Sequence, residues 1–291
     1  MPLTLTELEA IRDDCFADDL AIPLGATKWS RDDAVQYFES GGRKEIQCRT
    51  PSLPMRFLCL HGGGANQQIM MLQTARLRRA MGAHNVQLEF LEGTREQPRE
   101  YVEKALLALT GPEAKFYSWY GVENDLMVSV ADDPAGYVAA LSDASVPFRY
   151  VGADAALDRV ESHIERNGPY DALVGFSQGG VMVTMLTARL LERARRGEGA
   201  PPTWRCNVLI SSLPPRIWTG APARTPRCAG FPAVSTMGSN DPFFAYAKTH
   251  LPPCYDDLVW LEHDGTHAAP PAGHATDTLA AAVWRALGFD H

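Results

Sequence analysis

No run of apolar residues in this 291-residue chain reaches the roughly 20 needed to cross a bilayer. The acidic amino-terminal stretch lacks the basic segment and apolar core of a secretory signal. The six cysteines, Cys15, Cys48, Cys59, Cys206, Cys228 and Cys254, stand far apart, with no C-x-x-C pair and no zinc-like spacing. That argues against a disulfide framework, a zinc ribbon and a dithiol redox centre. Basic stripes are missing too. The net charge is −8, and the short cluster Arg193, Arg195, Arg196 falls at a helix end, where cations suit the dipole. Nucleic acid is not expected as a partner. With no internal repeat or low-complexity tract either, what is left is a soluble, reduced, cytoplasmic chain. Its 45% hydrophobic and 21% charged residues allow a sizeable core.

Apolar strands alternate with amphipathic helices along most of this chain. Strand patterns occur at Met55–Leu60, Val86–Leu91, Ala172–Val174, Cys206–Ser211, Phe231–Met237 and Leu258–Leu261. Helical spacing occurs at Gln67–Met81, Tyr101–Leu109, Ala153–Arg166, Val181–Leu190 and Thr276–Leu287. The alternation predicts an α/β fold, a mostly parallel central sheet with helices on both faces. Residues 1–54 read differently. Ser30-Arg31-Asp32-Asp33 resembles a capping box, Gly41-Gly42 a helix stop and Arg49–Pro54 a linker. They form an expected amino-terminal arm on a main domain at 55–291. Residues 111–149 are weakly periodic and rich in aromatics, as a lid or binding excursion would be.

The segment the chemistry turns on is Gly175-Phe176-Ser177-Gln178-Gly179. By chance alone G-x-S-x-G occurs in about one chain in ten of this length. Here an apolar strand precedes it and a helix follows, which chance does not supply. Such a sharp strand-to-helix turn holds a serine at its apex in a strained conformation and needs small residues two places either side. The helix N-terminus then faces any negative charge developing beside Ser177.

A serine hydroxyl needs a base within hydrogen-bond reach. Of the eight histidines, His267 and His263 follow the last strand, in Glu262-His263-Asp264-Gly265-Thr266-His267. Loops at the carboxyl ends of parallel strands are where ligands meet an open sheet. His267, beyond the flexible Gly265, is the expected base. His263, nearer the strand, is the runner-up or a structural residue, and His61 more plausibly braces its glycine-rich turn. Asp241 follows the strand Phe231–Met237 and is the expected acid. Asp256 and Asp257 precede the last strand, at the wrong end of the sheet, and Asp264 points away if His267 points in. The order Ser177, Asp241, His267 is that of α/β-hydrolases. The backbone N–H groups of Gln178 and Gly63, the latter in His61-Gly-Gly-Gly64, are the expected oxyanion hole. That glycine run lacks the G-x-G-x-x-G spacing of a dinucleotide site.

His61-Gly62 after an apolar strand, GPYDALVGFSQGG at 168–180, Gly238-Ser-Asn-Asp241 and His263-Asp-Gly-Thr-His267 together resemble the FSH group of serine hydrolases over roughly residues 56–287. In that group the histidine loop usually reads H-x-G-G-H, and Thr266 replaces its second glycine here. The resemblance implies an α/β-hydrolase fold and cleavage of a small-molecule carboxylic ester or thioester through an acyl-serine. Carrier-bound or CoA-bound thioesters are an alternative, as is a non-catalytic small-molecule receptor on the same fold. Neither a metal nor an organic cofactor is expected. Phe243, Phe244, Trp119 and Trp218 are expected to contact an apolar acyl group.

Overall fold

The computed structural model describes residues 54–289 except 83–84, 103, 125–129, 131–132 and 217–225. The expected arm therefore lies outside the described residues apart from Pro54, and so does Trp218. In chain order the elements are β1 (Met55–Leu60), α1 (Gln67–Ala80), β2 (Val86–Leu91), β3 (Arg95–Gln97), α2 (Lys104–Ala108), β4 (Phe116–Ser118), β5 (Gly121–Asn124), α3 (Pro134–Ser142) and β6 (Phe148–Val151). There follow α4 (Ala153–Asn167), β7 (Ala172–Phe176), α5 (Gln178–Arg195), β8 (Cys206–Ile210), β9 (Cys228–Gly238), α6 (Phe244–His250), β10 (Tyr255–His263) and α7 (His274–Ala286).

Six strands form one sheet in the order β10-β9-β8-β7-β1-β2, each pair parallel. Central strands covered on both faces are near-continuous apolar runs; β7 (ALVGF) and β8 (CNVLI) are buried at every residue, and the polar exception, Asn207, is hydrogen-bonded to Trp204, Thr187 and Tyr255. Alternation along β1 sorts the two layers. Leu58 and Leu60 join Val160 of α4 and Met182 and Leu186 of α5, while Phe57 and Cys59 join Met70 of α1 and Leu279 and Val283 of α7. The strand order reverses between β1 and β7, and such a switch point leaves a crevice outside the carboxyl ends of the two strands. His61–Gly64 and Ser177 follow those ends. This is the α/β-hydrolase fold. Among the described residues no helix is long and apolar enough to cross a membrane.

Some element bounds differ from those expected. The run Tyr101–Leu109 is a 3₁₀ turn, Arg99–Tyr101, followed by the shorter α2. The last strand begins at Tyr255, so Asp256 and Asp257 lie inside β10, still at its amino-terminal end. The excursion at 111–149 holds β4, β5, α3 and the start of β6; β4 pairs antiparallel with β3, which precedes it, and β5 pairs antiparallel with β6. Within it Tyr137, Leu141 and Phe148 share a buried cluster with Met237 and Phe243 beside the expected acid.

Buried Arg216 pins this insert. Its guanidinium donates to the carbonyls of Ala140 (2.7 Å), Leu141 (3.1 Å) and Asp143 (2.5 Å) at the end of α3. Those carbonyls have no helical partner and carry the negative end of the dipole. Cys59, Cys206, Cys228 and Cys254 are buried free thiols. Burial raises all four, the last three to about 12, which leaves them inert as nucleophiles at neutral pH.

Candidate active site

Ser177 stands at the turn between β7 and α5 with φ 48° and ψ −115°. A non-glycine residue there costs on the order of 1–3 kcal/mol and persists only where its surroundings over-determine it. Its N–H donates to Ile210 O at 2.9 Å, and its carbonyl accepts from Gly180 N–H at 3.0 Å. A Cβ on Gly175 would lie 2.4 Å from Gly180 N, and one on Gly179 would lie 2.1 Å from Leu60 O. Both neighbours are backbone, so only hydrogen fits, and strand, turn and helix close up beneath the hydroxyl.

Three strand ends bring the expected side chains together. The His267 ring lies with Nε2 2.9 Å from Ser177 Oγ. Its Nδ1 lies 2.7 Å from Asp241 Oδ2. Asp241 is buried, and its second oxygen accepts the Phe243 N–H at 2.9 Å. Asp241 accepts at both oxygens, so Nδ1 carries the ring hydrogen and Nε2 is left to accept from the serine. The edges of Phe176 and Phe243 meet the imidazole, each at 5.5 Å between centroids. Asp264 is exposed and takes no part in the relay.

Gly63 is exposed, and a Cβ on it would lie 3.4 Å from the Gln178 amide. Among the described residues neither the Gly63 nor the Gln178 backbone N–H meets a protein acceptor, as donors kept for an oxyanion would not. The Gln178 side chain does work that sequence reasoning missed. Its Oε1 accepts from Trp119 N–H at 2.7 Å and its Nε2 donates to Tyr120 O at 3.0 Å, tying the start of α5 to the link between β4 and β5.

Trp119 itself corrects an expectation. It is fully buried, with its indole N–H donating to His61 O at 2.8 Å, so it presents no surface to an acyl group. Phe243 lies against His267, whereas Phe244 turns away to Trp260 and Lys248.

His61 braces its turn, as expected. Nδ1 donates to Gly62 O at 2.6 Å and Nε2 accepts Gly93 N–H at 2.9 Å. Burial, which disfavours the charged ring, lowers its pKa from 6.5 to about 4 against the raising influence of the Gly62 contact. The unfolded chain therefore binds a proton between these values that the folded chain does not. Stability contributed by His61 is complete above pH 6.5 and is lost as pH falls toward 4, by about 3 kcal/mol. Glu92, 3.5 Å away and raised by burial, acts in the opposite sense, so a comparison of variants is the cleaner readout. His61→Gln keeps an acceptor near the Nε2 position. Its urea midpoint should fall less than that of the unaltered protein between pH 6.5 and 4; parallel curves would exclude this role.

A family model described as "Serine hydrolase (FSH1)" matches residues 52–279. Hydrolase phiM of a fungal species is 32% identical over 162 residues, 55% of this chain and 57% of that protein. Esterase FPY3 of Fusarium mangiferae is 24% identical over 243 residues, 79% of this chain and 95% of that protein. A solved carboxylesterase from Mesorhizobium loti is 16% identical, with a TM-score of 0.47 over 80% of this chain and 88% of its own.

Proposed function

The chain belongs to the FSH1 serine hydrolase family, and from that premise we propose that it cleaves a carboxylic ester or thioester through an acyl-Ser177 intermediate. The observation that carries this reading is the Ser177–His267–Asp241 relay, 2.9 and 2.7 Å long, built from three separate strand ends. His267 Nε2 takes the Ser177 proton as Oγ bonds to the substrate carbonyl carbon. Asp241 stabilises the imidazolium, and the N–H groups of Gly63 and Gln178 hold the oxyanion. As the tetrahedral centre collapses, the bond to the alcohol or thiol breaks and His267 hands that group the proton. Water, losing a proton to His267, then attacks the acyl carbon; as that centre collapses its bond to Oγ breaks, His267 returns the proton to Ser177 and the acid leaves.

A fluorophosphonate probe should label the protein at Ser177, and Ser177→Ala should abolish labelling. No labelling would favour a non-catalytic receptor. Phe176 and Phe243 beside His267, each 6% exposed where Trp119 is fully buried, with Tyr137 behind Phe243, support an apolar acyl group. Along a p-nitrophenyl ester series, kcat/KM should climb with acyl length by up to about fourfold per buried methylene. A series flat from acetyl to octanoyl removes that inference, and acyl-CoA assayed beside simple esters separates thioesterase from esterase. In this reading the hydrolase domain spans 55–291, after an amino-terminal extension at 1–54, and the protein works in the cytoplasm.

A further inference from the structure

The segment that carries His267 is neither helix nor strand, so its position must come from particular contacts. Residues 264–268 make few. Asn240 Nδ2 donates to Asp264 O at 2.6 Å, and Asn240 N–H donates to Gly265 O at 3.1 Å. Ser211 Oγ donates to Ala268 O at 3.0 Å. On the side facing Asp241 there is no slack, since a Cβ on Gly238 would lie 2.2 Å from Gly265 O and 2.3 Å from Thr266 O. A cavity of about 390 Å³ opens beside His263 and Asp264, lined also by Thr236, Leu261, Pro271 and His274. Close packing is incomplete next to such a cavity, so the base of the loop at His263 and Asp264 is not held by packing alone.

What holds Gly265 from behind is His263, whose Nδ1 accepts the Gly265 N–H at 3.1 Å. The ring is only 7% exposed, and Nε2 has no partner among the described residues. With Nδ1 accepting, the ring hydrogen sits on Nε2, so a buried donor is left unpaired, which costs stability. An aliphatic side chain would fill the same space without that cost. The acceptor at Nδ1 is what the histidine adds. Burial also holds its pKa below the ordinary value against the raising influence of Asp264 and Asp241, which keeps Nδ1 unprotonated.

We propose that His263 is a positioning residue for His267, fixing the Gly265 turn through Nδ1 so that the His267 imidazole stands between Asp241 and Ser177. The proposal rests on the hydrolase reading above. Three substitutions test it. His263→Asn places an oxygen near the Nδ1 position, His263→Gln places one near Nε2, and His263→Leu supplies volume alone. A displacement of about 1 Å in a reacting group can cost about 100-fold. His263→Leu and His263→Gln should therefore lower kcat on a p-nitrophenyl ester by about 10- to 100-fold, leave KM within about twofold, and slow fluorophosphonate labelling in proportion. His263→Asn should recover most of the rate. Thermal melting identifies any variant that does not fold, in which case Asn against Gln decides. Equal rates for Asn and Gln, or a folded His263→Leu with unaltered kcat, overturn the proposal. An unaltered protein that takes no label indicts the hydrolase reading itself.

Discussion

Ser177→Ala is expected to lower kcat on a carboxylic ester by about 10⁶-fold while the protein melts within a few degrees of the unaltered one. The size of the loss follows from how the relay works. Oγ is the atom that attacks, and His267 Nε2, 2.9 Å away, has no other proton to take in the first step. Members of such a unit are strongly non-additive, so removing the nucleophile costs nearly as much as removing all three groups. What survives is binding and the oxyanion donors, worth about 10³- to 10⁴-fold over water. The stability follows from the backbone. The contacts that hold the turn, Ser177 N–H to Ile210 O and Gly180 N–H to Ser177 O, involve no side chain, and alanine carries the same Cβ into the same φ of 48°. Steady-state turnover with active-site titration checks the result. A variant within tenfold of the original would place the nucleophile elsewhere.

How much of this was readable beforehand depended on whether a contact leaves a pattern along the chain. Buried parallel strands are near-continuous apolar runs, so MRFLCL, broken only by Arg56, announced β1, and Ala172–Val174 announced β7, which runs on to Phe176. The turn at Ser177 needs small residues at fixed offsets, and those offsets are local. Short antiparallel pairs left no such trace. Residues 95–97 and 116–118 are three-residue strands made by partners far off in sequence, and Tyr255-Asp256-Asp257 joins a strand because Cys228 and Pro232 lie beside it. Acids at the exposed start of an edge strand are compatible with pairing but do not signal it. Side chains that bind backbone were the hardest to read. Nothing in composition distinguishes Arg216, which closes α3 over more than 70 residues of chain, from any arginine in a proline-rich loop. The same holds for Asn240, which joins the acid and base loops, and for the Gln178 amide. Trp119 was misjudged for a related reason: a tryptophan in an aromatic stretch looks the same whether its indole faces a ligand or, as here, the His61 carbonyl.

Asp241→Asn is expected to lower kcat by about 10⁴-fold with the fold intact, and the direction of the effect is set by a contact outside the relay. Asparagine has one oxygen and one NH₂ group where aspartate has two oxygens, so its orientation decides the outcome. The Phe243 N–H, 2.9 Å from Oδ1, donates and needs an acceptor. Asp241 is buried, and leaving that N–H unpaired would cost about 1–3 kcal/mol. The amide oxygen is therefore drawn to Phe243, and the NH₂ faces His267 Nδ1 at the position of Oδ2. A donor facing Nδ1 requires Nδ1 to accept, which moves the ring hydrogen to Nε2, toward Ser177 Oγ. The imidazole then sits in place but in the wrong tautomer, unable to take the serine proton. In a serine protease of unrelated fold the same exchange costs about 10⁴-fold in kcat for that reason. The loss should be partly relieved at high pH, where a serine proton can leave to solvent without the base, while KM stays close to its original value. A second change offers the control. Asp241→Ala removes the misdirecting NH₂ as well as the acceptor and leaves the tautomer free, so it should be no worse than Asp241→Asn. An alanine variant markedly less active than the asparagine variant, or an asparagine variant within tenfold of the unaltered rate, would remove Asp241 from the role of fixing His267.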